Sequence, residues 1–164
     1  MFYPRNWIAM TVVILGLAMF IPVAQAQRQE VEGISCGANT GSVVQASPEI
    51  YIGSFDGKGI FRSTHENKVN DNNTWHQVGV VKWEGGKVSW NGFLKSMRPD
   101  GDFSIWEFYG DSESGSTMKA IYGSGKLKGI KGELKTKAIT QGKPIVQGTD
   151  QICYKVVGWI ELPK

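Results

Sequence analysis

The chain has 164 residues, of which 41% are hydrophobic and 20% are charged, with 18 Lys and Arg against 15 Asp and Glu. That length suits one domain with a substantial core. The near balance of charge excludes the strongly basic surface typical of nucleic-acid binding, so we expect no nucleic-acid partner.

The first 26 residues have the features of a secretory signal peptide. Arg5 supplies a positive n-region, residues 8–21 form an uncharged run, and an A-x-A motif ends at Ala26. An uncleaved membrane anchor is the alternative, although a run of this length is short for a membrane span. We predict cleavage after Ala26, export to the periplasm or the extracellular space, and a single domain at 27–164 without stable membrane insertion.

Two cysteines, Cys36 and Cys153, lie near opposite ends of the predicted exported domain. In an oxidising compartment an even pair most simply forms one disulfide, which would place the first and last parts of the fold side by side. Free thiols and a metal pair are the alternatives. Because no C-x-x-C motif and no histidine in a ligand spacing accompanies the cysteines, we predict a structural disulfide, no metal site and no cofactor.

After residue 27 the apolar residues follow the pattern of strands. No window of a dozen residues keeps a 3.6-residue apolar period, and glycine-rich turns alternate with runs of Val, Ile, Thr and aromatic residues. The sequence therefore predicts an all-β domain with a polar loop at 64–74. The predicted strands are 31–37, 41–46, 49–55, 59–63, 75–84, 87–98, 102–110, 116–123, 126–138 and 151–161.

The best-defined hairpin spans 75–98, around a turn at Gly85-Gly86. A two-residue turn there pairs Trp83 with Val88 and Val81 with Trp90. These four apolar residues then share one face of the ribbon, and polar residues share the other.

The next turn, at Asp100-Gly101, decides which residues continue this apolar face. A two-residue turn continues it through Phe103, Ile105, Glu107 and Tyr109. A three-residue turn would shift the pairing by one residue and put Trp106 and Phe108 there instead, because successive strand residues point to opposite faces.

Several stretches resemble a known superfamily: DGD at 100–102, IWEFYGD at 105–111 and IYGSGKLKGIKGELK at 121–135. They are similar to exported bacterial relatives of the allene oxide cyclase-like, or dirigent-like, β-barrels, which carry a glycine-rich element on the corresponding strand pair. Here that element reads YGSGKLKGIKG at 122–132, and CYKVVGWIELP at 153–163 is similar to how such chains end.

The resemblance implies a closed antiparallel barrel of about eight strands, with little or no helix and an interior pocket open at one end. It also implies homo-oligomers, as trimers or dimers. The glycines of the shared element are expected to set strand curvature and barrel closure: Gly123, Gly125, Gly129 and Gly132.

The candidate ligand-lining residues follow from the two-residue register: Trp83, Trp90, Ile105, Glu107 and Tyr109. An inward Glu107 would be the candidate acid, base or polar anchor, whereas a register shift would place it in solvent. We predict an exported barrel that binds a small apolar ligand or a partner protein. The alternatives are a cyclase or isomerase acting on an apolar substrate, and a structural subunit of an envelope assembly.

Overall fold

The fold is a barrel in which eight antiparallel strands pair in chain order and the last strand pairs with the first. A computed structural model describes residues 27–162, so the predicted signal peptide at 1–26 lies outside the described residues. The strands are β1 (Gln27–Ser47), β2 (Ile50–Ser63), β3 (Thr74–Glu84), β4 (Lys87–Met97), β5 (Phe103–Asp111), β6 (Gly115–Gly123), β7 (Lys131–Gln141) and β8 (Thr149–Leu162).

The predicted fold class is confirmed, because the described chain is all-β and closes into an eight-stranded antiparallel barrel. The loop predicted at 64–74 is also present, between the end of β2 and the start of β3. Within residues 27–162, no helix has the length and apolar character needed to cross a membrane.

Two pairs of predicted strands are continuous in the structure. β1 joins the predicted 31–37 and 41–46, and β2 joins the predicted 49–55 and 59–63. Glycines near the predicted breaks, such as Gly59, do not end a strand here. Gly37 and Gly59 face the barrel interior, where the ring of Trp75 occupies the space that a side chain would fill.

The turn at Gly85-Gly86 sets the register of β3 and β4 as predicted. Trp83 pairs with Val88 and Val81 pairs with Trp90. Both glycines have positive φ, at 56° and 78°, which is the conformation that a two-residue hairpin turn demands.

The two-residue register predicted for β4 and β5 is wrong. The connection between these strands covers residues 98–102, and Gly101 within it has a φ of 92°. Leu94 therefore pairs with Trp106, and Gly92 pairs with Phe108. A shift of one residue reverses the two faces of β5, so Trp106 and Phe108 face the interior.

The strand predicted at 126–138 begins only at Lys131, because residues 125–127 form one turn of 3-10 helix. Gly125, at a φ of 50°, lies against the Asp102 carboxylate in space that any side chain would fill. The Asp102 carboxylate accepts a hydrogen bond of 2.9 Å from the Lys126 backbone N–H. The DGD turn thus holds the glycine-rich element in place, and Leu127 is buried beneath it.

The hydrophobic core lies toward the end of the barrel that carries the connections 64–73, 98–102 and 124–130. Leu127 and Ile130 enter the core from one of these connections, and Val69 packs against it from another. We call this the closed end. The connections at 48–49, 85–86, 112–114 and 142–148 lie at the opposite end, since consecutive hairpin connections alternate between the ends of a barrel.

The predicted disulfide between Cys36 and Cys153 is confirmed. The two cysteines are directly paired on β1 and β8, with their Cα atoms 4.1 Å apart. The bridge lies on the outer face of the barrel, because Ser35 and Gly37 on either side of Cys36 face inward. It fastens the seam at which the last strand closes against the first.

Candidate ligand cavity

A cavity of about 740 Å³ occupies the lumen of the barrel. Its lining extends from Asn70 in the 64–73 connection, past Trp106 and Trp75, to Gly115 and Gly148 at the end opposite the core. We call the end at Gly115 and Gly148 the mouth. Most of the inward side chains along its wall are apolar or aromatic: Val31, Phe55, Phe61, Trp75, Val81, Trp83, Val88, Trp90, Leu94, Trp106, Phe108, Met118, Leu134, Ile152, Tyr154 and Val156.

Aromatic rings lie directly against inward-facing glycines of the cavity wall. A Cβ atom at Gly79 would lie 2.6 Å from the ring of Phe55, and one at Gly92 would lie 2.7 Å from the ring of Phe108. Because each ring occupies the space that a side chain at the glycine would fill, the ring stays close to the wall. With a larger residue in place of glycine, the ring would project into the lumen. Further contacts of this kind join Gly33 with Phe61, and Gly37 and Gly59 with Trp75.

A row of polar side chains crosses this apolar wall. Gln77 Nε2 donates to Asn39 Oδ1 at 2.9 Å, and Asn39 Nδ2 donates to Asp150 Oδ1 at 2.7 Å. Asn39 pairs with Asp150 on one side and with Gly57 on the other, and Gly57 pairs with Gln77. Because Gly57 has no side chain, Asn39 reaches across it to Gln77. We call Gln77, Asn39 and Asp150 the polar row.

Tyr154 lies on the same inward face of β8 as Asp150. Burial raises the pKa of the Tyr154 phenol to about 12, and the negative charge of Asp150 acts in the same direction. The phenol therefore stays protonated and neutral throughout the physiological pH range.

The indole N–H groups of two lining tryptophans bond to inward serines. Trp90 Nε1 donates to Ser116 Oγ at 2.8 Å, and Trp106 Nε1 donates to Ser104 Oγ at 2.8 Å. Since a buried indole N–H without a partner costs free energy, these bonds fix both rings against the wall.

The mouth carries charged residues from the end of β5, from the β5–β6 turn and from β7: Asp111, Glu113 and Lys137. Asp111 accepts hydrogen bonds from the backbone N–H groups of Ser114 at 2.6 Å and Glu113 at 2.8 Å. These two bonds hold the pKa of the Asp111 carboxyl below its usual value. The Asp111 carboxylate thus stabilises the turn at the mouth.

Two of the five residues predicted to line the cavity do so. Trp83 and Trp90 face the lumen, and their contact with a ligand stays a prediction. The inward placement of Ile105, Glu107 and Tyr109 is wrong, because the register of β4 and β5 places them on the outer face of the barrel. Glu107 is exposed, so it is not placed to act in the cavity, and the enzyme alternative loses the residue on which it rested.

The sequence interpretation missed the polar row and Tyr154. The predicted disulfide held the necessary signal, because pairing Cys36 with Cys153 in antiparallel strands places Asn39 opposite Asp150. The first predicted strand ended at residue 37 and the last began at residue 151. Asn39 and Asp150 therefore fell outside the predicted strands and were not predicted to be part of the wall.

The outer face of β3–β5 carries exposed apolar side chains: Val78 and Val80 at 46%, Phe93 at 50% and Tyr109 at 52% exposure. Val78 pairs directly with Phe93. Such a face is compatible with self-association, and the homo-oligomer stays a prediction.

These features define a closed eight-stranded barrel with a mainly apolar cavity. The fold is dirigent-like: it superposes on the pterocarpan synthase dirigent protein GePTS1 with a TM-score of 0.53 at 10% identity, over 88% of this chain and 95% of that chain. For the pterocarpan synthase dirigent protein PsPTS1 the TM-score is 0.51 at 12% identity, over 85% of this chain and 99% of that chain. The sequence matches no protein-family model and no curated protein.

The resemblance predicted from the sequence is therefore confirmed for the fold. Identities of 10% and 12% carry no activity or substrate from those proteins to this chain. Membership of an exported bacterial branch stays a prediction.

Proposed function

We propose that this protein is exported and binds a small, largely apolar ligand in the lumen of its barrel. The observation that carries the proposal is the cavity of about 740 Å³, whose walls consist mainly of aromatic and aliphatic side chains. Cavities of roughly 300–1,000 Å³ with a few polar groups on apolar walls are typical of small-molecule sites.

The energetics favour an apolar occupant. Removing apolar surface from water contributes about 2.5 kcal/mol for each 100 Å² buried. The rings along the wall are already fixed by their glycine contacts and by the bonds of Trp90 and Trp106, so binding orders few side chains. The polar row places hydrogen-bonding groups on a mainly apolar wall, and these groups orient a ligand in the lumen.

Export is supported by the disulfide between Cys36 and Cys153, because such bridges form and persist in oxidising compartments. We assign the protein to the periplasm or the extracellular space, in agreement with the predicted signal peptide.

A fluorescent apolar dye tests the binding site. We expect N-phenyl-1-naphthylamine to bind the oxidised protein and brighten, and we expect Thr136→Phe to weaken that binding at least about tenfold by filling the lumen. Thr136 lines the cavity, whereas Thr117 on the neighbouring strand faces outward, so Thr117→Phe is the matched control. Equal dye affinity in Thr136→Phe and the unchanged protein would place the dye outside the lumen and overturn the proposal.

A further inference from the structure

The charged residues that line the cavity are mainly acidic, although the chain as a whole is slightly basic, with a formal charge of +3. Three carboxylates line the cavity: Asp111, Glu113 and Asp150. Lys137 is the one basic residue among the described residues that line it, and it is exposed at the mouth. A charged group that enters the lumen therefore meets mainly negative charge.

Asp150 brings this charge onto the wall itself. Its Oδ1 accepts a hydrogen bond of 2.7 Å from Asn39, which is in turn held by Gln77. That bond is the only one formed by the Asp150 side chain among the described residues, and no ion pair between described residues includes it. The carboxylate is positioned by neutral amides, so its charge is not compensated within the barrel.

The surroundings of Asp150 suit a cation. Tyr154 on the same strand remains a neutral phenol, and eight of the residues that line the cavity are aromatic. The faces of aromatic rings attract ammonium groups, and the attraction increases when water is excluded. An anionic group would meet Asp150 with no basic side chain beside it, which opposes binding.

We infer that the ligand is an apolar molecule with a cationic nitrogen, an amine or a quaternary ammonium. Its charged end lies beside the polar row at Asp150, and its apolar part lies along the aromatic wall. This inference rests on the proposed function, because it names the chemical class of ligand that the same cavity takes.

Matched decyl compounds test the inference by displacement of the naphthylamine dye. We expect decyltrimethylammonium to compete on the order of tenfold better than decanol, and decyl sulfate to compete less well than decanol. Added salt is expected to reduce the preference for the cation, because Asp150 is half-buried and its field is partly screened.

Asp150→Asn removes the charge at nearly constant shape. We expect this variant to lose the preference for decyltrimethylammonium while it binds decanol as before. Asp56→Asn is the matched control, since Asp56 lies on the outer face beside His76 and should leave the ranking unchanged.

Each result separates the two proposals. Equal competition by the three decyl compounds, or an unchanged cation preference in Asp150→Asn, overturns the inference and leaves an apolar ligand site in place. Absence of dye binding to the unchanged protein overturns the proposed function itself. Should Asp150→Asn fail to fold, the ranking of the three compounds on the unchanged protein decides.

Discussion

Gly79→Ala tests the idea that glycine keeps the lumen hollow. The added Cβ would lie 2.6 Å and 3.0 Å from two atoms of the Phe55 ring and 2.5 Å from the backbone oxygen of Asn91, whereas ordinary contacts begin at 3.4 Å. The ring must therefore retreat by about 0.8 Å, into the cavity. The oxygen of Asn91 belongs to the β3–β4 ladder and cannot rotate away. Overpacking of this kind costs about 1–3 kcal/mol.

In urea denaturation this cost should appear as a lower midpoint urea concentration, while the slope of the unfolding free energy against urea concentration stays unchanged. Gly142→Ala is the control, because its nearest neighbours would lie 3.7 Å from the new Cβ and its φ is ordinary. Phe55→Leu in the Gly79→Ala background should recover part of the loss, and the part that remains belongs to Asn91. Stability equal to that of the unchanged protein, or no coupling with Phe55→Leu, would refute the account of the wall. The retreating ring should also lower dye affinity.

Three further predictions concern stability. Replacing Cys36 and Cys153 by serine should lower the free energy of unfolding by up to about 5 kcal/mol in the chain-entropy account, because the bridge joins residues with a sequence separation of 117. In denaturant titrations, a reductant should lower the stability of the unchanged protein by the same amount. The raised pKa of Tyr154, about 12 against 10.0, means that the unfolded chain loses this proton first as pH rises. The contribution of Tyr154 to stability should therefore be complete below pH 10 and fall by about 3 kcal/mol between pH 10 and 12. Tyr154→Phe should abolish that fall and remove the late phase from the ultraviolet titration. Asp102→Ala removes the acceptor of the Lys126 N–H and should lower the free energy of unfolding by about 1–2 kcal/mol. Asp102→Asn keeps an acceptor oxygen and should lower it by less. Equal losses of stability in the two variants would contradict the assigned contact.

The sequence predicts a register only where a turn has one geometry. Two glycines at Gly85-Gly86 leave a single two-residue turn, and the pairing of β3 with β4 follows. The connection at 98–102 also contains two residues typical of a turn, Asp100-Gly101. Hydrogen bonds from Arg98 N to Asp102 O and from Gly101 N to Arg98 O make the turn longer than two residues. Such hydrogen bonds decide whether a connection has an odd or an even number of residues. The predicted register was wrong by one residue, and it therefore placed Glu107 in the interior although Glu107 lies on the surface.

Glycine was misinterpreted for a related reason. In a single strand glycine predicts a break, because it has no side chain to pack and a large conformational freedom to lose. Gly57 and Gly59 are instead required by side chains on neighbouring strands, Asn39 and Trp75. That requirement depends on which residues lie opposite each other across the barrel, which only the closed fold determines.

Stability and recognition meet at the seam between β1 and β8. Asn39 and Asp150 stand three residues beyond Cys36 and Cys153 on the same two strands, with the disulfide outside the barrel and the polar row inside. The bridge fixes the separation of the strands that carry the row, so the ordering of Asp150 is complete before a ligand arrives. In the variant with both cysteines replaced, still folded at low temperature, we expect the preference for decyltrimethylammonium over decanol to decrease. An unchanged preference would show that the hydrogen bonds of Asn39 suffice to position Asp150, and that the disulfide serves stability alone.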